Sequence, residues 1–272
     1  MNTNYSVLMS VYFKEKPEYL EESMNSIYNQ TVKTNDFVLV CDGPLTDELD
    51  SVINKMQEKF GEVLHVVRLE KNGGLGNALN IGMKECKNEI IARMDSDDIS
   101  MPNRCELELN IINKNNVDIV SGTLLEFDGN INNILTSRQL PEENDEIIKF
   151  AKSRCPFNHP CVMYKKSKVI EAGEYQDFHF LEDYYLWIRM LQTGAVGYNI
   201  STPILWMRAG RDMYKRRAGI KYVKSQNKLL KYMYKSNFIS LKQYVKMTII
   251  RTTVSLMPNW GRAIFYKTFL RK

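Results

Sequence analysis

Apolar and polar positions along the first 115 residues switch regularly between two periods. YSVLMSVY (5–12) is an almost unbroken apolar and β-branched run, the pattern of a strand covered on both faces. LEESMNSIYNQ (20–30) follows with Leu20, Met24, Ile27 and Tyr28 at helical spacing. DFVLVCD (36–42) predicts a second strand, broken by Gly43 and Pro44, and TDELDSVINKMQEKF (46–60) a helix capped by Thr46. VLHVVRLE, LGNALNIGMKEC, EIIARMD and ISMPNRCELELNIINKN then continue as strand, helix, strand and helix. This alternation predicts an α/β, Rossmann-like fold: a mainly parallel central sheet flanked by helices. Ligands in such sheets bind beyond the carboxyl ends of the strands, so Tyr12, Asp42, Gly73, Gly74 and the run Asp95 to Asp98 should share one rim.

The pattern then changes. VDIVSGTLLEF (117–127) predicts a strand, 137–146 a polar loop, and CPFNHPCVMYKK (155–166) leads into a further strand-like segment. FHFLEDYYLWIRMLQTG (178–194) reads as a helix entered at Glu182 and Asp183 and ended by Gly194. No sharp linker divides the two halves.

Composition places the chain among ordinary globular proteins, with 44% hydrophobic and 25% charged residues over 272 positions. No run approaches the roughly 18 apolar residues of a membrane span, and MNTNYSVLMSVYF lacks a cationic leader, so a cytoplasmic protein is expected. Five cysteines without Cys-x-x-Cys spacing point to reduced thiols, and Cys155, His159 and Cys161 have the wrong spacing for zinc.

Charge alters the picture more. The net charge is +5, but residues 211–272 hold 16 Lys and Arg against one acid, Asp212, while the preceding 210 residues hold 21 basic and 31 acidic residues. Lys221, Lys224, Lys228, Lys231 and Lys235 step by three and four, which puts them on one helix face with Val223, Leu230 and Tyr234 alongside. An acid-free basic helix fits an anionic membrane surface, with nucleic acid as the competing partner and a solvated face as the plain reading.

Three constellations carry candidate chemistry. Asp95-Ser96-Asp97-Asp98 gathers hard oxygen ligands at a strand end, which suits Mg²⁺ or Mn²⁺ better than helix capping, since one cap by Asp98 or Ser100 needs one carboxylate. Lys71-Asn72-Gly73-Gly74-Leu75-Gly76-Asn77 lacks the Gly-Lys-Ser/Thr ending of a phosphate loop and by itself reads as a tight turn. Glu182-Asp183 at a helix start could complement the helix dipole or place a general base at a cleft.

Taken in order, SVLMSVYFKEKPEYLEESMNSIYNQT, VLVCDGP, NGGLGNALNIG, ARMDSDDISMPNR with its Asp-x-Asp, and FLEDYYLWIRM resemble the family 2 glycosyltransferases of GT-A fold, from about Tyr5 to Leu191. More narrowly, the chain is similar to bacterial enzymes that build O-antigens and amylovoran-like exopolysaccharides, including the MRAGRDMYKRRAGIKY stretch. The resemblance implies a catalytic domain over 1–210, with a nucleotide-binding half to about residue 100 and an acceptor half beyond it, and a basic amphipathic helical tail over 211–272. By position it implies that Ser10 and Tyr12 hold the nucleotide base, Asp42 reads the base edge, and Gly74 lines the third binding loop. Asp95 and Ser96 then meet the nucleotide, Asp97 holds a Mn²⁺ or Mg²⁺ ion, and Asp183 is the catalytic base beside Glu182. Trp187 and His159 would contribute to the acceptor platform, and Asp98 has no role beyond support or capping. Arg208, Arg211, Lys215, Arg216 and Arg217 read either as a clamp on the diphosphate or as the start of a membrane face. Phe13 stands where the family commonly has Asn.

The function implied is inverting, metal-dependent transfer of a hexose or N-acetylhexosamine from a nucleoside diphosphate sugar, expected to be UDP-linked. The expected acceptor is a sugar on a polyprenyl diphosphate at the inner face of the cell membrane, for O-antigen-type polysaccharide; no nucleic acid partner is expected. A nucleotide- or glycan-binding protein that kept the fold and lost turnover is the alternative.

Overall fold

The computed structural model describes residues 3–209 and 219–257. Strands β1 (Ser6–Val11), β2 (Asp36–Cys41), β3 (Leu64–Arg68) and β4 (Ile90–Asp95) form a parallel unit in the order β3-β2-β1-β4. Helices α1 (Pro17–Tyr28), α2 (Asp47–Phe60) and α3 (Leu75–Glu85) connect them, so the predicted strand and helix order is observed to this point. The Thr46 hydroxyl accepts from the Leu49 N–H at 3.4 Å, as a cap should.

Side chains of β1 and β2 alternate between two cores. Leu8, Val38 and Val40 pack under α3, whereas Val7, Met9, Phe37 and Leu39 pack under α1 and α2. Gly82 lets α3 lie close on the sheet, because a Cβ there would stand 2.5 Å from Leu8 Cδ1 and Val40 Cγ2.

Beyond β4 the sheet becomes mixed. Its remaining strands are β5 (Ile99–Ser100), β6 (Ile119–Phe127), β7 (Ile134–Arg138), β8 (Met163–Lys165) and β9 (Gly197–Arg208). β8 lies antiparallel between β4 and β6, β9 runs parallel to β6, and β5 pairs antiparallel with β9. Helices α4 (Arg104–Asn115), α5 (Asn144–Ala151), α6 (Lys166–Glu171) and α7 (Glu182–Gln192) complete this half.

Two expectations are corrected by these elements. The helix expected from Ile99 begins at Arg104, because Ile99 and Ser100 find strand partners in Trp206 and Leu205 of β9. Neither Asp98 nor Ser100 therefore caps it; Asn103 sits at the cap position without a side-chain bond. The loop expected over 137–146 contains the end of β7 and the start of α5.

α8 (Gly219–Lys235) and α9 (Leu241–Leu256) follow, the latter opened by a capping box in which the Ser240 hydroxyl accepts from Gln243 N–H and the Ser240 N–H donates to Gln243 Oε1. α8 presents its five predicted lysines to solvent and buries Tyr222, Leu229, Leu230 and Met233 in the same core as α3 and α7. Its apolar face is thus consumed by the domain. No helix of the described residues is long and apolar enough to cross a membrane.

Candidate active site

The parallel strands deliver their carboxyl ends to one rim. Ser10 of β1 pairs in register with Asp95 of β4, and the next β1 residue, Val11, pairs with Cys41 of β2, one residue before Asp42. Tyr12 leaves this rim 38% exposed, in a T-shaped contact with Phe13 at 5.9 Å. Asp42 is buried, and its two carboxylate oxygens accept from the N–H groups of Gly73 and Gly74 at 2.7 and 3.0 Å. This side chain ties the glycine loop to the end of β2. Gly43, at φ +88°, permits the close approach, since a Cβ would lie 2.7 Å from Asn72 N.

Asp95, Asp97 and Asp98 place one carboxylate oxygen each within 4.8 Å of one another. Burial first, then the charges of Asp95 and Glu15, push Asp97 up to about 7. Burial and the charges of Asp97 and Asp95 hold Asp98 well above the usual carboxylate range. Three acids this close destabilise one another by several kcal/mol unless a positive charge intervenes. Part of it comes from Arg93, a wholly buried guanidinium whose Nη2 donates to Asp95 Oδ1. The rest of the demand suits a divalent cation, and an all-oxygen donor set without His or Cys fits Mg²⁺ or Mn²⁺.

Hydrogen bonds brace the turn that carries these acids. Ser23 Oγ donates to the Asp95 carbonyl at 2.7 Å, and Ser96 Oγ to Glu15 Oε2 at 2.6 Å. Arg208 braces it from β9: its N–H reaches Asp98 Oδ1 at 2.8 Å and its Nε the Asp97 carbonyl at 3.0 Å. The guanidinium pairs with Glu22 at 2.5 Å and lies over the rings of Tyr19 and Phe127. Through its backbone N–H, Nε and Nη2, Arg208 braces the aspartate turn. Arg211, Lys215, Arg216 and Arg217 lie outside the described residues.

A cavity of about 210 Å³ opens beside this rim, lined by Leu75, Gly76, His159, Tyr175, Phe180, Glu182 and Asp183. Asp183 and Glu182 enter it from the first turn of α7. Burial raises Asp183 above the usual carboxylate range, offset by the Tyr184 N–H, the charges of Arg138 and Arg93, and the Cys155 thiol 3.7 Å away. Glu182 is raised by burial as well, and its Oε1 accepts from the Phe180 N–H at 3.3 Å. His159 shares a 2.9 Å hydrogen bond with the Tyr175 hydroxyl; burial and the Arg93 charge hold it well below the usual histidine range, so the ring is neutral at pH 7. Tyr175 is anchored in turn by Asn80 of α3, which donates to its carbonyl at 2.7 Å and accepts from its N–H at 2.9 Å.

Trp187 departs from expectation. It is 0% exposed, packed among Phe157, His159, Tyr164 and Tyr175 with centroids 5.8–6.4 Å apart. A ring enclosed on these sides presents no face to an acceptor, and it serves as the wall behind His159 and Tyr175. Arg93, Tyr175, Phe180 and Glu15 were not among the expected site residues. Arg93 left one signal: a charge inside the apolar run IIARMD must find a partner, and the same-face neighbour two positions on is Asp95.

Comparison with known proteins agrees with this geometry. The family model described as Glycosyl transferase family 2 matches residues 6–172. Over 269 residues the chain is 38% identical to the UDP-Gal:alpha-D-GlcNAc-diphosphoundecaprenol beta-1,3-galactosyltransferase of Escherichia coli, covering 98% of this chain and 97% of that one. It is 40% identical over 260 residues to the amylovoran biosynthesis glycosyltransferase AmsE of Erwinia amylovora, covering 93% and 94%. Among solved structures, S. aureus TarS 1-349 in complex with UDP-GlcNAc superposes with a TM-score of 0.70 at 15% identity, over 98% of this chain and 76% of that one. The mannosyltransferase PcManGT of Pyrobaculum calidifontis, in complex with GDP-Man and Mn²⁺, gives 0.62 at 16% identity, over 95% and 72%. The fold is GT-A, and the chain is a glycosyltransferase that belongs to glycosyl transferase family 2.

Proposed function

We propose that the protein transfers a hexose or N-acetylhexosamine, with inversion, from a UDP-sugar to a sugar carried on a polyprenyl diphosphate, in the assembly of a bacterial surface polysaccharide. The observation that carries this reading is the pairing of a carboxylate triad on the strand rim with a separate, recessed Asp183 in the adjoining cavity. The E. coli relative, named for transfer from UDP-Gal to GlcNAc-diphosphoundecaprenol, supports the donor and acceptor classes at nearly full-length coverage.

In this mechanism Tyr12 stacks on the base, with Ser10 and Asp42 beside it and Gly74 along the loop that Asp42 holds. Asp95 and Ser96 meet the nucleotide, and Asp97, with Asp98 behind it, would hold Mn²⁺ or Mg²⁺. A divalent cation there supplies Lewis-acid stabilisation of the charge that grows on the departing diphosphate. The acceptor hydroxyl attacks the anomeric carbon from the face opposite the diphosphate; its proton passes to the Asp183 carboxylate, and the bond from carbon to phosphate oxygen breaks with its electron pair leaving on UDP. One displacement inverts the centre, so an α-linked donor yields a β-linkage. Neutral His159 and Glu182 contact the acceptor sugar. The lysine face of α8 lies toward the anionic inner face of the cell membrane, where a polyprenyl acceptor resides.

The deciding experiment incubates the protein with UDP-Gal, UDP-Glc and UDP-GlcNAc in turn, a short-chain lipid-diphosphate GlcNAc acceptor, and Mn²⁺ or Mg²⁺. A β-linked disaccharide by NMR, abolished by chelator and restored by metal, is the expected result. An α-linked product, or full activity in chelator, would overturn the mechanism.

A further inference from the structure

α9 has two apolar faces, and the domain uses one of them. Tyr244, Met247 and Val254 pack toward the protein interior, the first two against the core shared with α7 and α8. On the other side Leu241, Val245, Ile249 and Leu256 recur at spacings of four, four and seven residues, each 48–62% exposed. A line of large aliphatic side chains along a helix is not the scattered apolar exposure that every surface shows. Lys242 and Lys246 flank it, and residues 213–272 contain no Asp or Glu.

Charge decides between a second copy of the chain and a lipid surface as the occupant of this stripe. A second copy of the chain, docked by two-fold symmetry, would set Lys242 and Lys246 against their own counterparts in an acid-free segment, with no carboxylate to answer them. An anionic bilayer offers acyl chains to the aliphatic residues and phosphates to the lysines in one surface. α8 is unsuited to the apolar part of this task, because its own apolar face lies in the core; its exposed lysines supply charge alone.

The stripe also sits on the acceptor side of the molecule. α9 packs on α8, with Tyr234 and Tyr244 stacked at 5.2 Å. Tyr222, in the first turn of α8, faces Phe180, whose ring is 48% exposed and lines the Asp183 cavity. Phe180 holds φ +64°, a conformation a bulky side chain rarely adopts, and it stands where the cavity meets the α8 surface.

We infer that α9 inserts its Leu241–Val245–Ile249–Leu256 stripe into an anionic bilayer, while the lysines of α8 and α9 bind the headgroups. This seats the Asp183 cavity beside the lipid surface, so that a lipid-linked acceptor reaches it past Phe180. The inference takes its purpose from the polyprenyl-linked acceptor proposed above, but its physical content is membrane binding and is measured independently.

The test uses the full chain and vesicles of phosphatidylglycerol with phosphatidylethanolamine, with phosphatidylcholine vesicles for comparison. Val245→Glu combined with Ile249→Glu replaces solvent-exposed side chains and should lower vesicle co-sedimentation about tenfold or more, at high salt as well as low. Lys224→Gln with Lys231→Gln should weaken binding on anionic vesicles at low salt only. Ile249→Trp should bind at least as tightly as wild type, and the emission of its added indole should shift to the blue on anionic vesicles. Transfer to a short, water-soluble acceptor should be unchanged in all three variants. Wild-type co-sedimentation of the double glutamate variant, or an added indole emission that ignores vesicles, would overturn the inference. So would a wild-type dimer that the double glutamate variant makes monomeric while vesicle binding stays the same. If the wild type transfers no sugar to any acceptor, the proposed function fails while the vesicle measurements still decide the role of α9.

Discussion

The aspartate turn and the Asp183 cavity both hold carboxylates that burial pushes above their usual range, Asp97 and Asp98 in the one and Asp183 in the other, yet their surroundings differ. In the turn, Asp95, Asp97 and Asp98 crowd within 4.8 Å, with Arg93 beneath and the Arg208 N–H at one side. Mutual repulsion adds to burial at Asp97 and Asp98, and a bound cation would offset it. In the cavity, the groups facing Asp183 are weaker donors: the Cys155 thiol, the Tyr184 N–H, and the more distant charges of Arg138 and Arg93. A carboxylate with few firm donors is suited to taking a proton. The contrast is one of company rather than residue type, and removing that company one member at a time should separate the two sites.

The largest effect should come from the cavity. Asp183→Asn keeps the shape and removes the proton acceptor, so sugar transfer should fall by about 10²–10⁴-fold. Binding of UDP-sugar, measured by calorimetry, should stay near the wild-type value, because Asp183 lies in the cavity and not in the aspartate turn. Equal loss of donor binding would dissolve the division of labour.

Asp97→Ala should lower transfer about a hundredfold at fixed metal, and it should also flatten the response to Mn²⁺ or Mg²⁺ titration. A variant that retains the wild-type metal curve would move the cation away from this turn. Arg208→Leu comes next. It removes the Glu22 pair, the Nε bond to the Asp97 carbonyl and the stacking on Tyr19 and Phe127, but leaves the backbone N–H on Asp98. The metal concentration for half-maximal activity should rise about tenfold, with the rate at saturating metal largely recovered. Arg208→Lys should restore the charge near Glu22 and only part of the bracing, giving an intermediate curve.

Much of this contrast was legible in the sequence, and the gaps have physical causes. The rim residues could be read because a parallel strand run fixes where its last residue emerges, which puts Asp42 and Asp95 at the rim on sequence pattern alone. Asp183 stood out as an acid at the start of a helix, although only the fold shows that the helix opens into a cavity. Trp187 misled because helical spacing places a residue on a face without telling how deeply that face is covered. The bracing role of Arg208 was not legible because its partners Glu22 and Asp98 lie 186 and 110 positions away. β9 escaped notice because Pro203 breaks the run GYNISTPILWMR and its pairing with β6 shifts register on either side of Thr123. The apolar stripe of α9 was hidden for a related reason, since two apolar faces on one helix blur the amphipathic signal that a single face gives.

The smallest predicted effect separates the two sites by pH. Because burial raises Asp183, it keeps its proton to higher pH than an ordinary carboxylate, and its basic form is present only above that raised value. The rate of transfer at saturating metal should therefore fall as pH drops, along a limb lying above the usual carboxylate range. Cys155 tunes that limb. Its thiol is held well above the usual cysteine range by burial, then by the Asp183 charge, so it stays protonated and can donate to Asp183 Oδ2 at 3.7 Å. Donation favours the ionised carboxylate, and Cys155→Ala withdraws it. The acid limb of the variant should move to higher pH, by less than the displacement burial has already caused, while the metal titration curve stays in place. A limb that moves to lower pH, or a metal curve that moves with it, would show that the cavity and the aspartate turn titrate as one site.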